Sequence, residues 1–146
     1  GYNSRLNTIQ AIVLNEKLKY LKAWNKKRQD AALKYTKALE GVGDITMLPF
    51  SGGCSYYNFP ILTRQRKKLR AFLEKMGVET FIRYPLPLHL QECFGYLGYK
   101  RGDLPKAEHF ADSVMSLPFH PFVTVQEQNL VIRLIKEFFD KNSKKS

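Results

Sequence analysis

The sequence predicts an α+β fold: a short, mostly antiparallel sheet packed by helices, preceded by a long N-terminal linking helix. Three observations predict it. Apolar residues make up 44% of the 146 residues and aromatics 13%, enough for one folded unit with a real core. Stretches with helical apolar spacing alternate with short branched or aromatic runs, in the order helix, strand, helix, strand, helix, strand, helix. The strand-like runs are brief and interrupted by proline, as a small antiparallel sheet allows.

One long helix, straight or kinked, is expected over about residues 7–40. Asn7 stands three residues before Gln10 at capping-box spacing, and Ile9, Ala11, Ile12, Val13, Leu14, Leu18 and Leu21 follow. So many apolar positions around the circumference predict that the first turns are buried, whereas beyond Tyr20 only Trp24, Ala31, Ala32, Tyr35 and Leu39 keep a stripe. Gly41 and Gly43 supply the stop. Cys54–Leu62 reads as a strand with Pro60 near its end or on an edge. Leu69, Phe72, Leu73 and Met76 recur at i, i+3, i+4, i+7, which predicts a helix over 64–76 closed by Gly77. Val78–Tyr84 reads as a second strand, broken by Pro85 and Pro87, with a short turn through His89 and Gln91. Asp103 as a capping carboxylate and Pro105 in the first turn predict a helix to about Met115. Phe119–Val123 reads as a third strand. Thr124 and Glu127 form a capping box before a final helix whose stripe is Val131, Leu134, Ile135, Phe138 and Phe139.

Charge is the largest anomaly. Lys and Arg number 24 against 13 acids, a net charge of +11. That excess attracts nucleic acid, acidic lipid, nucleotide or an acidic chain. The basic clusters from Lys17 to Lys37 and from Arg64 to Arg70 lie on amphipathic helices, however, and solvated polar faces account for most of them. No recognition motif for nucleic acid is present, so that partner is not expected. Nor is a membrane: no run approaches the roughly 18 apolar residues a span needs, and no signal sequence opens the chain, so a soluble, cytoplasmic chain is expected. Cys54 and Cys93 have no C-x-x-C spacing and no histidine pair beside them. They read as reduced, mostly packed thiols, with a disulfide or a metal site as the alternatives.

No self-contained catalytic motif is present: neither G-x-S-x-G, H-E-x-x-H nor a glycine-rich phosphate loop. His120 reads as a packed or turn histidine and His109 as a surface or hydrogen-bonded one. Two stretches remain. Asn3, Ser4 and Arg5 precede a helix whose first N–H groups are unpaired, which makes a phosphate site; a plain lead into the helix is the alternative. Phe81–Gln91 gathers Arg83, Tyr84 and His89 in a proline-stiffened turn, either for a ligand or as a structural turn with exposed polar groups.

Four stretches, taken in order, carry a resemblance: GYNSRLNTIQA at residues 1–11, RYPLPLHLQ at 83–91, GDLPKAE at 102–108 and SLPFHP at 116–121. Together they span essentially the whole chain, and it is identified by them as similar to the DegT/DnrJ/EryC1/StrS aminotransferases. These are pyridoxal-phosphate enzymes that aminate nucleotide-linked keto sugars. The resemblance implies the small C-terminal domain of a fold-type I aminotransferase, with residues 1–40 ending the large domain as a linking helix and 41–146 forming the small domain. It implies a homodimer with shared active sites, L-glutamate as amino donor, and pyridoxal 5'-phosphate bound mainly by an N-terminal region. Asn3 would contact the cofactor phosphate, Arg5 would lie near the shared site, Arg83 and Tyr84 would approach the nucleotide sugar, and His89 would border that pocket. Many relatives carry His where this chain has Arg83; a permanent cation suits a diphosphate. No stretch resembles the Schiff-base lysine region, so the resemblance implies part of an enzyme, inactive without its N-terminal half. The start without Met is read the same way. The alternative is a non-catalytic basic binding or dimerisation module for anionic partners.

Overall fold

Asn7 opens the first helix, in a computed structural model that describes residues 4–143. Its side-chain oxygen accepts the Ile9 N–H at 2.9 Å, satisfying one of the unpaired donors at the helix start. Helix α1 runs Thr8–Leu18 and α2 runs Leu21–Leu39. The single helix expected over 7–40 is therefore two, divided by a turn at Lys19 and Tyr20. The expected burial of the first turns does not hold either. Ile9 is 72% exposed, Leu18 is 60% exposed, and α1 buries no residue. Apolar residues are buried only where a second apolar surface faces them, and among the described residues nothing covers α1. By contrast α2 sinks Ala31, Ala32, Tyr35 and Leu39 into the core along one face.

The sheet is three-stranded and antiparallel, in the order β1 (Thr46–Met47), β2 (Phe59–Leu62), β3 (Val114–Leu117). Thr46 pairs with Leu62 and Met47 with Ile61; on the other side Phe59 pairs with Leu117 and Leu62 with Val114. The expected strand over 54–62 shortens to its last four residues. Pro60 lies in the central strand yet meets the rule that keeps proline off hydrogen-bonded ladders. It pairs with Ser116, whose N–H and C=O both bond Phe81 instead, and β1 ends opposite Ile61.

Two further strand expectations are corrected. Of Val78–Tyr84, only Phe81 pairs, in an isolated bridge to Ser116. The third strand lies at 114–117 rather than 119–123, and takes the end of the helix expected to reach Met115. Val114, Met115, Ser116 and Leu117 are all buried, and pairing with β2 on one side and Phe81 on the other satisfies their backbone as a strand there. Helix α4 runs Pro105–Ser113 with Leu104 at its cap position. Asp103 does not cap it: its carboxylate accepts the Lys100 N–H at 2.8 Å and closes the preceding turn.

Helix α5 (Val125–Ser143) follows its expected stripe; α3 (Arg66–Lys75) does so at Leu69, Phe72 and Leu73, whereas Met76 stands at its cap and is 49% exposed. Leu69 and Leu73 of α3 and Val131, Leu134, Ile135, Phe138 and Phe139 of α5 are buried with Ile61, Met115 and Leu117 of the sheet. Gly77, at φ +76, turns the chain out of α3. The capping box is complete: Glu127 N–H donates to Thr124 Oγ1 at 3.1 Å, and Thr124 N–H donates to the Glu127 carboxylate at 2.8 Å. Both cysteines are free, and both are exposed rather than packed, since Cys54 lies in the 48–58 loop and Cys93 in a 3-10 turn. No described helix is long and apolar enough to cross a membrane.

Candidate functional site

Phe81 is the last residue the sheet holds before the chain turns away. Its N–H donates to Ser116 O at 3.1 Å and its carbonyl accepts from Ser116 N at 2.7 Å. Arg83 follows, exposed, with its guanidinium carbon 5.2 Å from the centre of the Tyr57 ring. Tyr57 is 72% and Tyr84 80% exposed, so Arg83 and Tyr57 together present a guanidinium and a ring to solvent, with Tyr84 exposed next along the chain.

The backbone there is unusual. Tyr56 (φ +47) and Tyr84 (φ +62) are the only non-glycine residues with positive φ among the described residues. Such conformations cost on the order of 1–3 kcal/mol and persist only where neighbours enforce them. Around Tyr56 the neighbours are visible: its hydroxyl accepts the Ser51 N–H at 2.6 Å and its ring stacks on Phe50 at 5.5 Å. Gln29 of α2 donates to Gly52 O at 2.8 Å and Cys54 O at 3.1 Å, fastening the loop that carries Tyr57.

The far end of the Arg83 turn runs into 3-10 turns at Leu88–Leu90 and Glu92–Leu97. His89 is buried, its Nε2 3.0 Å from Glu108 Oε1, with the Tyr99 ring edge-on at 6.2 Å. The same Glu108 oxygen accepts the Gly102 N–H at 2.8 Å. That backbone donor, then the His89 hydrogen bond, hold the Glu108 carboxyl below its ordinary value against the opposing effect of burial.

Of the residues singled out from sequence, Arg83 and Tyr84 are both exposed, Arg83 against Tyr57, while His89 is buried against Glu108 and Tyr99. Arg5 is exposed, ahead of α1. Asn3 lies outside the described residues. His109 and His120 are exposed, and His120 Nδ1 accepts the Phe122 N–H at 3.2 Å. Sequence reasoning missed two residues. Tyr57 stood in a run taken wholly as strand, where the consecutive Tyr56 and Tyr57 gave a faint signal. Glu108 stood in a quoted motif without a role.

The patch offers donors and aromatic faces, with no nucleophile and base in contact. A guanidinium presents a planar fork of donors that matches phosphate oxygens, so the chemistry available is binding and orientation.

Known proteins share this fold. The model of the DegT/DnrJ/EryC1/StrS aminotransferase family matches residues 1–136. A Geobacillus stearothermophilus protein described as a pleiotropic regulatory protein is 42% identical over 95% of the chain, covering 38% of its own length. The dTDP-3-amino-3,4,6-trideoxy-alpha-D-glucose transaminase of Streptomyces venezuelae is 34% identical over 97% of the chain and again 38% of its own. The crystal structure of S. venezuelae DesV superposes with a TM-score of 0.92 at 33% identity, over 96% of this chain and 38% of that one. This chain therefore spans well under half the length of those relatives, and it belongs to the DegT/DnrJ/EryC1/StrS aminotransferase family.

Proposed function

We propose that the chain is the C-terminal part of a pyridoxal-phosphate-dependent aminotransferase that moves an amino group from L-glutamate to a nucleotide-linked keto sugar. The observation that carries this reading is the exposed contact of Arg83, on a proline-stiffened turn beside Tyr84, with Tyr57 of the preceding loop. A nucleoside diphosphate joins a negative diphosphate to flat and apolar rings, and a guanidinium among tyrosine faces is complementary to both. The transaminase name of the S. venezuelae relative, which specifies a dTDP-linked amino sugar, points to the same substrate class.

The described residues do not build a cofactor cradle by themselves. None of their lysines is buried, as an imine-forming amine in a closed site would be, and Asn3 lies beyond them. The bound cofactor acts as an electron sink for the carbon that exchanges its amine; in this reading the lysine and most cofactor contacts come from an N-terminal region. Asn3 and Arg5 then reach the shared site of a homodimer in the cytoplasm, and Arg83 and Tyr84 orient the sugar. Residues 1–40 close the large domain and 41–146 form the small one.

Surface area supports a missing partner. A compact protein of 17.0 kDa exposes about 7,700 Å², whereas this chain exposes 10758 Å². The excess falls in part on α1 and the residue before its cap, where Leu6, Ile9, Ile12, Val13, Leu14 and Leu18 are all exposed. Apolar surface on that scale marks an interface.

The test is to prepare the chain alone and together with an upstream half that holds the lysine. Cofactor absorbance and amino transfer from L-glutamate to dTDP- and UDP-linked keto sugars are then measured. The chain alone should be inactive and the pair active, and Ile12→Asp should leave the chain folded but block the pairing. If the pair neither retains cofactor nor transfers an amine, the aminotransferase reading is wrong. Tight, salt-sensitive nucleic-acid binding would favour the basic binding module instead.

A further inference from the structure

We infer that Glu108 is a positioning residue for substrate binding: by pinning His89 to the loop that precedes α4, it holds the turn that presents Arg83. This deepens the sugar-binding reading above and rests on it.

The turn has little else to hold it. From Arg83 to Gln91 the only buried side chain is His89; Tyr84 is 80%, Leu86 42% and Leu88 66% exposed. Hydrophobic burial therefore contributes little to the position of the turn. At its start the sheet holds Phe81 through two backbone hydrogen bonds to Ser116. At its end His89 meets Glu108, and Pro85 and Pro87 stiffen the chain between. A turn fixed at both ends and stiff in the middle presents Arg83 in one place.

Glu108 is fit for that task. It lies in the first turn of α4, a rigid element, and one of its oxygens joins the Gly102 N–H to the His89 ring. Gly102, at φ +100, has a backbone that side-chain-bearing residues rarely adopt, which aims its N–H at the carboxylate. A carboxylate only accepts hydrogen bonds, so His89 carries a proton on Nε2. The 3-10 turn at His89, the loop at Gly102 and the first turn of α4 thus meet at one buried oxygen.

The test uses the full-length enzyme with its cofactor, and the variants E108A, E108Q and R83A. E108A should raise the sugar KM about tenfold, leaving the glutamate KM and kcat within about twofold. E108Q keeps an acceptor oxygen and should recover most of the affinity. In the R83A background the further effect of E108A should fall below about twofold, because the residue through which it acts is gone. A full tenfold effect in that background, or an equal rise in the glutamate KM, overturns the proposal. Hydrogen exchange separates it from the function reading. Amides of residues 83–91 should exchange faster in E108A, with those of β2 and α5 unchanged. If the unaltered enzyme transfers no amine, the sugar reading fails while the exchange still reports the pin. Unchanged exchange at 83–91 in both E108A and E108Q sinks the pin, whatever the activity.

Discussion

On the proposed reading, Arg83→Ala should separate sugar recognition from the other tasks of the enzyme. In the free protein Arg83 is exposed and touches Tyr57 through an exposed cation–π contact, which is worth about 0.5–1 kcal/mol. Folding should therefore change by no more than that. With a nucleotide sugar bound as proposed, the lost interaction would be a charge-assisted pair to phosphate oxygens, worth about 1.5–3 kcal/mol. That free energy corresponds to a rise in the sugar KM of about 10- to 150-fold. Glutamate carries no diphosphate, so its KM should stay within about twofold. Arg83→Lys keeps the charge and loses the planar fork, and should fall between wild type and Ala. Tyr57→Leu removes only the stacking face and should raise the sugar KM about two- to fivefold. The assay is steady-state amino transfer with each substrate varied at saturation of the other. A sugar KM unmoved by Arg83→Ala, or both KM values rising together, would refute the assignment of Arg83 to the diphosphate.

Two predictions concern the scaffold that carries the site. Gly43 has φ +56, and an added Cβ would fall 2.1 Å from Cδ1 of the buried Phe139 ring. Gly43→Ala should thus destabilise the fold by about 2–4 kcal/mol through overpacking and backbone strain, seen as a lower urea midpoint; an unchanged midpoint would contradict the close approach. Thr124→Ala removes the α5 cap and should cost about 1 kcal/mol at neutral pH. The Thr124 N–H, then its hydroxyl, hold the Glu127 carboxyl below its ordinary value. A depressed carboxylate contributes stability above the unfolded pKa and loses it as pH falls through the lower folded pKa. The difference between wild type and Thr124→Ala should therefore shrink in acid, and a difference that widens there would contradict the capping geometry.

The parts legible from sequence are those that neighbours along the chain decide. Leu69, Phe72 and Leu73 mark the buried face of α3, and Val131 to Phe139 that of α5, because helical spacing alone puts those residues on one side. The Thr124 and Glu127 box is closed by residues three apart. Four short motifs were enough to point to the family.

What only the tertiary structure decided are the pairings across long separations. Ser116 bonds Phe81 and so leaves Pro60 its place in a central strand; β3 forms at 114–117 because the core there buries both of its faces. Tyr57 meets Arg83, and Glu108 meets His89 and Gly102, through contacts that no periodicity encodes. Nor could apolar composition tell a buried helix from one that bares the same residues. The sequence determines how apolar α1 is, but burial needs a second surface, and none of the described residues supplies one.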